Sequence, residues 1–314
     1  MIIQGRTNCV RPFFFYFSLM NGWFLVFIDH ILIPLMMSMK KTLCLFEAGG
    51  TKTTLLIQED GKSIAEHHLP GFNPNRYSAN LEQSLIKLHL PEHARVFFYG
   101  SGLVSEQNKM KVREILKPVF SREVSVFDDQ LGAGRAAYGN TSGIIGIMGT
   151  GAFAAWYDGT KIVDRKGGHG YLIDDIGGGF ELGKLILSAW LNRDLPNEVD
   201  QAISAAVGVE RDDFTTHFYS HPDLHLPARL ALVIVPFSQN QYLDELLVNY
   251  FGLYFARHVK SLTAKYGDRQ MTLVGGLANA FHTYISRAAL SFGIDKITCV
   301  SKPAEKLLHF HQDA

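Results

Sequence analysis

Between Leu43 and Ile57 the chain reads LCLFEAGGTKTTLLI, an apolar run, then Ala48-Gly49-Gly50, Thr51-Lys52-Thr53 and a second apolar run. Glycine admits positive φ and lets main chain approach a ligand with no Cβ in the way. Successive amides in such a turn converge on an anion, and a lysine with two threonine hydroxyls adds charge and donors. The chemistry on offer is phosphate binding on a β-hairpin; an ordinary hairpin turn has the same composition. A Walker loop is excluded, because no helix follows and GxxxxGK[ST] is absent. The pattern recurs: Gly143–Met148 is an apolar strand, Gly149-Thr150-Gly151 a turn, and Ala152–Tyr157 a second strand. Each copy continues through an Asp-Gly turn, Asp60-Gly61 or Asp158-Gly159, into a third strand, Ser63–Leu69 or Lys161–Val163. A duplicated unit implies two like domains facing each other across a cleft, each contributing one phosphate-holding hairpin.

Other residues suit the same cleft. Asp128 and Asp129 stand where the strand Val124–Phe127 gives way to a helix. One of them serves as an N-cap, worth about 1 kcal/mol; the other is free to accept a proton from a hydroxyl. In the rigid loop from Pro70 to Asn75, Asn73 carries a donor and an acceptor able to read a sugar hydroxyl or amide, or else builds a turn before Pro74. Gly100-Ser101-Gly102 follows the strand Arg95–Tyr99, and Gly275-Gly276-Leu277-Ala278 follows Gln270–Val274 and opens a helix running to Phe292. Strand, glycines and helix N-terminus make a platform for a purine or phosphate. Residues 167–179 are a mobile, glycine-dense loop containing Asp174 and Asp175. His217, His221 and His225 are spaced by four, but Pro222 interrupts them and no HExxH is present, so surface or capping roles are expected rather than a metal.

Alternating strands and helices must position these groups. That order predicts an α/β protein with parallel strands covered by helices and ligands gathered at the strands' carboxyl ends. Helices are expected near Ala79–Leu88, Glu106–Leu116 and Phe180–Asn192, the last with Leu182, Leu185, Leu187, Trp190 and Leu191 mostly on one side. Further helices at 197–207, 212–221, 228–237 and Leu243–Lys265 read as core, followed by a strand Ile297–Val300 and a helix Pro303–His311. A length of 314 residues suits two domains. Lys+Arg and Asp+Glu both total 30, which argues against an electrostatic nucleic-acid partner. Three separated cysteines suit a reduced, cytoplasmic setting and offer no CxxC site. Residues 12–37 are strongly apolar, yet a spanning length takes in Asp29, His30 and Pro34. Translation starting at Met39, with residues 1–38 a start-site artefact, is the expectation; a membrane anchor and a signal peptide are the alternatives.

The order of motifs resembles the N-acetylglucosamine kinase branch of the BadF/BadG/BcrA/BcrD-type ATPases, within the superfamily of sugar kinases, Hsp70 and actin. The resemblance covers residues 40–311 and rests on AGGTKT (48–53), PGFNP (70–74), YGSG (99–102), DQLGAGRAA (129–137), IMGTGAFAAWYDG (147–159), GYLIDDIGGGFELGK (170–184), VGGLANAF (274–281) and SKPAEKLLHFH (301–311). It implies two ribonuclease H-like (actin-like ATPase) domains, residues 39–130 and residues 131–302 with helical additions, the terminal helix 303–314 packing back on the first. By resemblance ATP and Mg²⁺ are the cofactors. Glu47, Gly49, Gly50, Thr51, Lys52 and Thr53 would hold phosphates and Mg²⁺, with Glu47 the metal-side carboxylate. Gly149, Thr150 and Gly151 would form the second phosphate turn, and Gly275, Gly276 and Ala278 would face the adenosine. Asp129 falls on the catalytic base, and Asn73, Ser101, Gly102 and Asp175 lie near the sugar. The implied activity is phosphorylation of an amino sugar such as N-acetylglucosamine, with a homodimer as the expected assembly and no membrane or nucleic-acid partner. The sequence departs from the family pattern at Glu47, where Asp is usual, at Ile176, where Glu is common, and at Gly178, where Ser is usual. These departures favour a second reading, a nucleotide- and sugar-binding sensor or a weakly active homologue. An iron–sulfur activase and a zinc-bearing repressor are disfavoured, because the cysteines they need are missing.

Overall fold

The structure, a computed structural model, describes residues 41–50, 52–74 and 80–312. The apolar extension, Thr51 and Asn75 lie outside the described residues.

Nearly continuous buried runs in the central strands build two five-stranded sheets. In the first, β1 (Thr42–Ala48), β2 (Lys52–Glu59) and β3 (Lys62–Pro70) form an antiparallel meander. β4 (Arg95–Gly100) and β5 (Val124–Asp128) add in parallel beyond β1, so the order is β3-β2-β1-β4-β5. In the second, β6 (Gly143–Met148), β7 (Ala152–Tyr157) and β8 (Ile162–Gly167) repeat the meander. β9 (Gln270–Val274) and β10 (Lys296–Val300) again add in parallel, giving β8-β7-β6-β9-β10. Strand for strand the two orders are the same, so the hairpin repeat in the sequence is a repeat of whole sheets.

Each sheet is covered on both faces, as parallel strands require. In the first lobe Cys44, Phe46 and Ala48 point to α1 (Asn80–Ile86) and α2 (Glu106–Leu116), while Leu43 and Leu45 point the other way. The second face receives α3 (Asp129–Tyr138) through Ala136 and α12 (Pro303–Phe310) through Ala304, Leu307 and Leu308. In the second lobe one face carries the larger core, built on α4 (Gly179–Leu191), α5 (Asn197–Val207), α6 (Arg211–Ser220), α7 (Leu226–Val233), α8 (Gln241–Tyr254), α9 (Lys260–Tyr266), α10 (Gly276–Ala280) and α11 (His282–Leu290). Its other face packs Ile145, Phe153, Ala155 and Tyr157 on Ala133 of α3.

Helix α3 therefore lies between the sheets, and glycines make its fit possible. A Cβ at Gly132 would stand 2.9 Å from the Tyr99 ring of β4, and one at Gly134 would stand 2.7 Å from the Tyr157 ring of β7. The expected domain boundary at residue 130 falls inside the first turn of this helix.

Several elements differ from their sequence expectation. β8 runs to Gly167, well past Val163. The helix expected over 228–237 spans Leu226–Val233, and Pro236, which cannot supply a helical N–H, sits in a short 3₁₀ turn, Val235–Phe237. The long helix near 243–265 is interrupted by a π-helical turn, Phe255–Val259. The helix expected after Gly276 breaks at Phe281, whose ring is buried in the core. Leu185, placed by the pattern on the buried side of α4, is exposed; Leu182, Ile186, Ala189 and Trp190 form the true inward stripe. The His217 and His221 rings pair at 5.5 Å. Among the described residues no group of three or more His, Cys, Asp or Glu is placed to hold a metal, and no helix is long and apolar enough to cross a membrane.

Candidate active site

Strand register assembles the first half of the site. Across the parallel strands β1, β4 and β5, Ala48 pairs with Gly100 and Gly100 with Asp128. Gly49-Gly50, Ser101-Gly102 and Asp129 therefore all begin one step beyond a single row at the carboxyl ends of the strands, the edge where ligands gather in such sheets. The hairpin closes through Gly49 N–H donating to Lys52 O at 2.9 Å. Its neighbours are tied on by main chain: Phe72 N–H donates to Gly49 O at 3.1 Å and brings Asn73 alongside, and Ser101 N–H donates to Ala48 O at 3.2 Å. Lys52 is exposed, whereas Thr53 is fully buried with its Oγ1 unpartnered among the described residues.

The aspartate pair divides its work. Asp128 is the N-cap of α3, its Oδ1 accepting from Leu131 N–H at 2.9 Å. Asp129 stands next to it in the first turn of the inter-sheet helix, its carboxylate held by main-chain N–H groups and bonded to no other side chain among the described residues. Desolvation, the neighbouring Asp128 and the Glu47 charge push its pKa up to about 6, against two backbone N–H bonds that favour the anion. Glu47 is also raised by desolvation and partly relieved by the Lys52 ammonium. Glu47, a desolvated carboxylate at the end of β1, is the residue whose chemistry suits a divalent cation here. Mg²⁺ is commonly held by one or two carboxylates together with phosphates and water, rather than by a full protein cage.

The second lobe mirrors this arrangement. Gly149 N–H donates to Gly151 O at 3.0 Å and closes the turn, while Gly149 O and Thr150 O accept from Gly179 and Phe180 N–H of α4 at 2.8 and 2.9 Å. With its carbonyls committed to α4, the turn has its remaining amides for an anion. Gly275, at φ +128°, lies against the same turn: a Cβ there would fall 2.2 Å from Met148 O. Gly276 is exposed beside it, but Ala278 is fully buried in the core, so an adenosine contact through Ala278 is not available in this form. Asp175 is buried against the turn, since a Cβ on Gly151 would stand 2.5 Å from its Oδ2. Desolvation raises Asp175 to about 6, opposed by Gly170 N–H donating to Oδ1 at 3.3 Å.

No model of a protein family matches the chain. The N-acetyl-D-glucosamine kinase of Dictyostelium discoideum is 24% identical over 163 residues, which is 45% of this chain and 51% of that kinase. The match thus spans about half the length of the curated relative. A solved structure described as a candidate N-acetylglucosamine kinase from Porphyromonas gingivalis superposes with a TM-score of 0.75 at 24% identity, covering 86% of this chain and 99% of that one. Its counterpart from Chromobacterium violaceum gives 0.70 at 20% identity, covering 87% and 99%. A ROK family glucokinase from Streptomyces griseus, solved with glucose and AMPPNP, gives 0.52 at 13%, covering 87% and 98%. The chain shares the fold of these solved structures, a two-lobed α/β architecture with a five-stranded sheet in each lobe.

Two of the three departures from the resembled pattern have a packing reason. At Gly178 the chain leaves no room for a side chain: a Cβ would lie 2.7 Å from Gly151 Cα and from Thr150 O. Ile176 turns into the core of the second lobe, where an apolar side chain is the fitting one. Restoring the usual residue with Gly178→Ser should therefore lower stability by about 1–3 kcal/mol, the usual cost of overpacking, and should not raise activity. Urea denaturation of both proteins checks this; a variant as stable as its parent would mean that the Gly151 turn yields freely.

Two supporting side chains gave no signal in the sequence. Tyr250 OH accepts from Gly177 N–H at 2.9 Å and donates to Gly178 O at 2.6 Å. Tyr254 OH donates to Phe153 O at 3.0 Å. Both lie on α8 at helical spacing, where a buried tyrosine reads as core; only the positive φ of Gly177 hints that something approaches closely there.

Proposed function

We propose that the protein transfers the γ-phosphate of ATP to a hydroxyl of an amino sugar, N-acetylglucosamine above all. The observation that carries this reading is Asp129, a carboxylate with its pKa raised to about 6, at the start of the inter-sheet helix and in the electrostatic reach of Glu47 on the first hairpin. The kinase from Dictyostelium discoideum supports the choice of sugar.

In the reaction a sugar hydroxyl oxygen attacks the γ-phosphorus in line, its proton passes to Asp129, and the bond to the bridging oxygen breaks to release ADP. Asn73, Ser101, Gly102 and Asp175 orient the sugar so that the attacking oxygen faces Asp129. Lys52 and the amides of the 49–53 and 149–151 turns stabilise charge on the transferring group. Glu47 would hold Mg²⁺, which would supply neutralisation of phosphate charge. Gly275 and Gly276 take the adenosine. Closure of the lobes excludes water and limits idle hydrolysis.

ADP release with Mg-ATP and a panel of hexoses and hexosamines tests the reading. Turnover stimulated by N-acetylglucosamine is expected; ATP binding with no sugar-stimulated turnover would overturn it in favour of a binding-only homologue. Glu47 is the observation behind that alternative, because its extra methylene shifts the carboxylate by about a C–C bond in a site that demands near-ideal Mg²⁺ geometry. Glu47→Asp should keep or raise kcat at saturating Mg²⁺. A severe loss would identify the longer carboxylate as an adapted ligand.

A further inference from the structure

Three side chains outside the reacting groups meet where β4, α3 and the end of α12 converge: Tyr99, Arg135 and His311. Tyr99 and His311 are buried and Arg135 is half-buried. Arginine only donates, so the Tyr99 hydroxyl accepts from Arg135 Nη1 at 2.7 Å. Both groups are buried, so the hydroxyl proton needs an acceptor, and His311 Nε2, also at 2.7 Å, is the one within reach among the described residues. His311 is consequently neutral with its own proton on Nδ1. Burial and the charges of Arg135 and Arg95 agree, pushing its pKa down to about 3. The assembly is held in shape from the sides. The His311 ring stacks on Phe97 at 3.6 Å, and the Arg135 guanidinium stands 4.5 Å from the Phe127 ring centre and 5.2 Å from that of Phe310. Tyr99 bridges the other two residues and cannot move without breaking both hydrogen bonds.

The placement gives the chain its consequence. Tyr99 immediately precedes the Gly100-Ser101-Gly102 turn, Arg135 shares a helix with Asp129, and Gly132 of that helix is notched against the Tyr99 ring. A shift of α3 along or about its axis relative to β4 breaks the Arg135–Tyr99 bond. We propose that Arg135, Tyr99 and His311 form a positioning joint that sets Asp129 against the Ser101 turn, with the carboxyl-terminal helix as its clamp. Its catalytic consequence rests on the kinase reading above; its structural one does not.

Tyr99→Phe keeps the ring that Gly132 packs on and removes only the hydroxyl. Sugar-stimulated kcat should fall by about tenfold or more, as small misplacements of reacting groups do, with KM for ATP little changed. Two changes at the clamp separate hydrogen bonding from packing. His311→Gln keeps an acceptor for Tyr99 and should retain most turnover; His311→Phe keeps the stack, has no acceptor and should lose it. The reverse order would overturn the joint in favour of simple packing. Should Tyr99→Phe not fold, this pair decides. A third readout does not need turnover: the ¹³C carboxyl signal of Asp129, titrated in the wild type and in Tyr99→Phe, should change its midpoint. An unchanged midpoint overturns the joint. A wild type that turns over no sugar while the midpoint shifts removes the kinase reading and keeps the joint. A wild type that turns over sugar and is matched by Tyr99→Phe removes the joint and keeps the kinase.

Discussion

Asp129→Asn should abolish sugar-stimulated ADP release, lowering kcat by about 10²–10⁴-fold, the range a positioned general base contributes. Affinity for ATP should stay close to that of the wild type, because the amide has the same shape and the phosphate turns are untouched. Isothermal titration with a non-hydrolysable nucleotide, alongside the coupled ADP assay, separates the two quantities. The pH dependence has a definite sign. The base must be ionised to accept a proton, and its pKa is raised to about 6, so wild-type kcat should rise as pH climbs through about 6. Stability runs the other way. A carboxyl whose folded pKa exceeds its unfolded value favours the fold at low pH, and that contribution is lost as pH rises through about 6. Asparagine never ionises, so the variant should melt higher than the wild type well above that pH and show little advantage below the ordinary carboxylate range. An inactive but stabilised variant is the signature of a residue kept for chemistry at a structural cost. Retained kcat would mean that the base is misassigned, and Asp128 would be next to test.

Gly275→Ala should be a damaging change beside the Gly149-Thr150-Gly151 turn. At φ +128° and ψ 160° the residue occupies a region essentially reserved for glycine. Conformational strain of about 1–3 kcal/mol is expected there, and the added Cβ would also meet Met148 O at 2.2 Å. Relief requires moving the end of β6, and with it the Gly149-Thr150-Gly151 turn. Loss of several-fold ATP affinity should therefore accompany a lower denaturation midpoint. Gly276→Ala is the control for stability: nothing lies within 4 Å of its Cβ position. Equal stability of the two variants would show that the β9 turn is not locked against β6.

The turns of the candidate site were legible because they are local. The Gly49 and Gly149 turns, the Gly100-Ser101-Gly102 turn and the strand-to-helix switch at Asp128-Asp129 each follow an apolar strand, and the end of an apolar run is readable in the sequence. Which aspartate caps the helix was not legible, since either side chain fits an N-cap in sequence; the bond from Leu131 N–H to Asp128 decides it. The resemblance placed Ala278 beside the adenosine, and nothing in the sequence shows that the short helix opened by Gly276 buries it in the core. Leu185 failed for a related reason: leucines on α4 do not all face inward, because Ala189 and Ile186 take the positions nearest the sheet.

By itself the sequence determined what is set by near neighbours: the alternation of strands and helices, the duplicated meander, and the glycine turns that leave main chain open to an anion. The tertiary structure decided everything that depends on separation across the chain. Gly178 is required by the Gly151 turn, Gly134 by Tyr157, and the Tyr99 hydroxyl is held between a helix and a carboxyl-terminal histidine more than two hundred residues away. The physical reason is that steric exclusion, desolvation and hydrogen-bond direction are properties of pairs. A residue type states only what a side chain is able to do, and the partner that the fold brings to it fixes what it does.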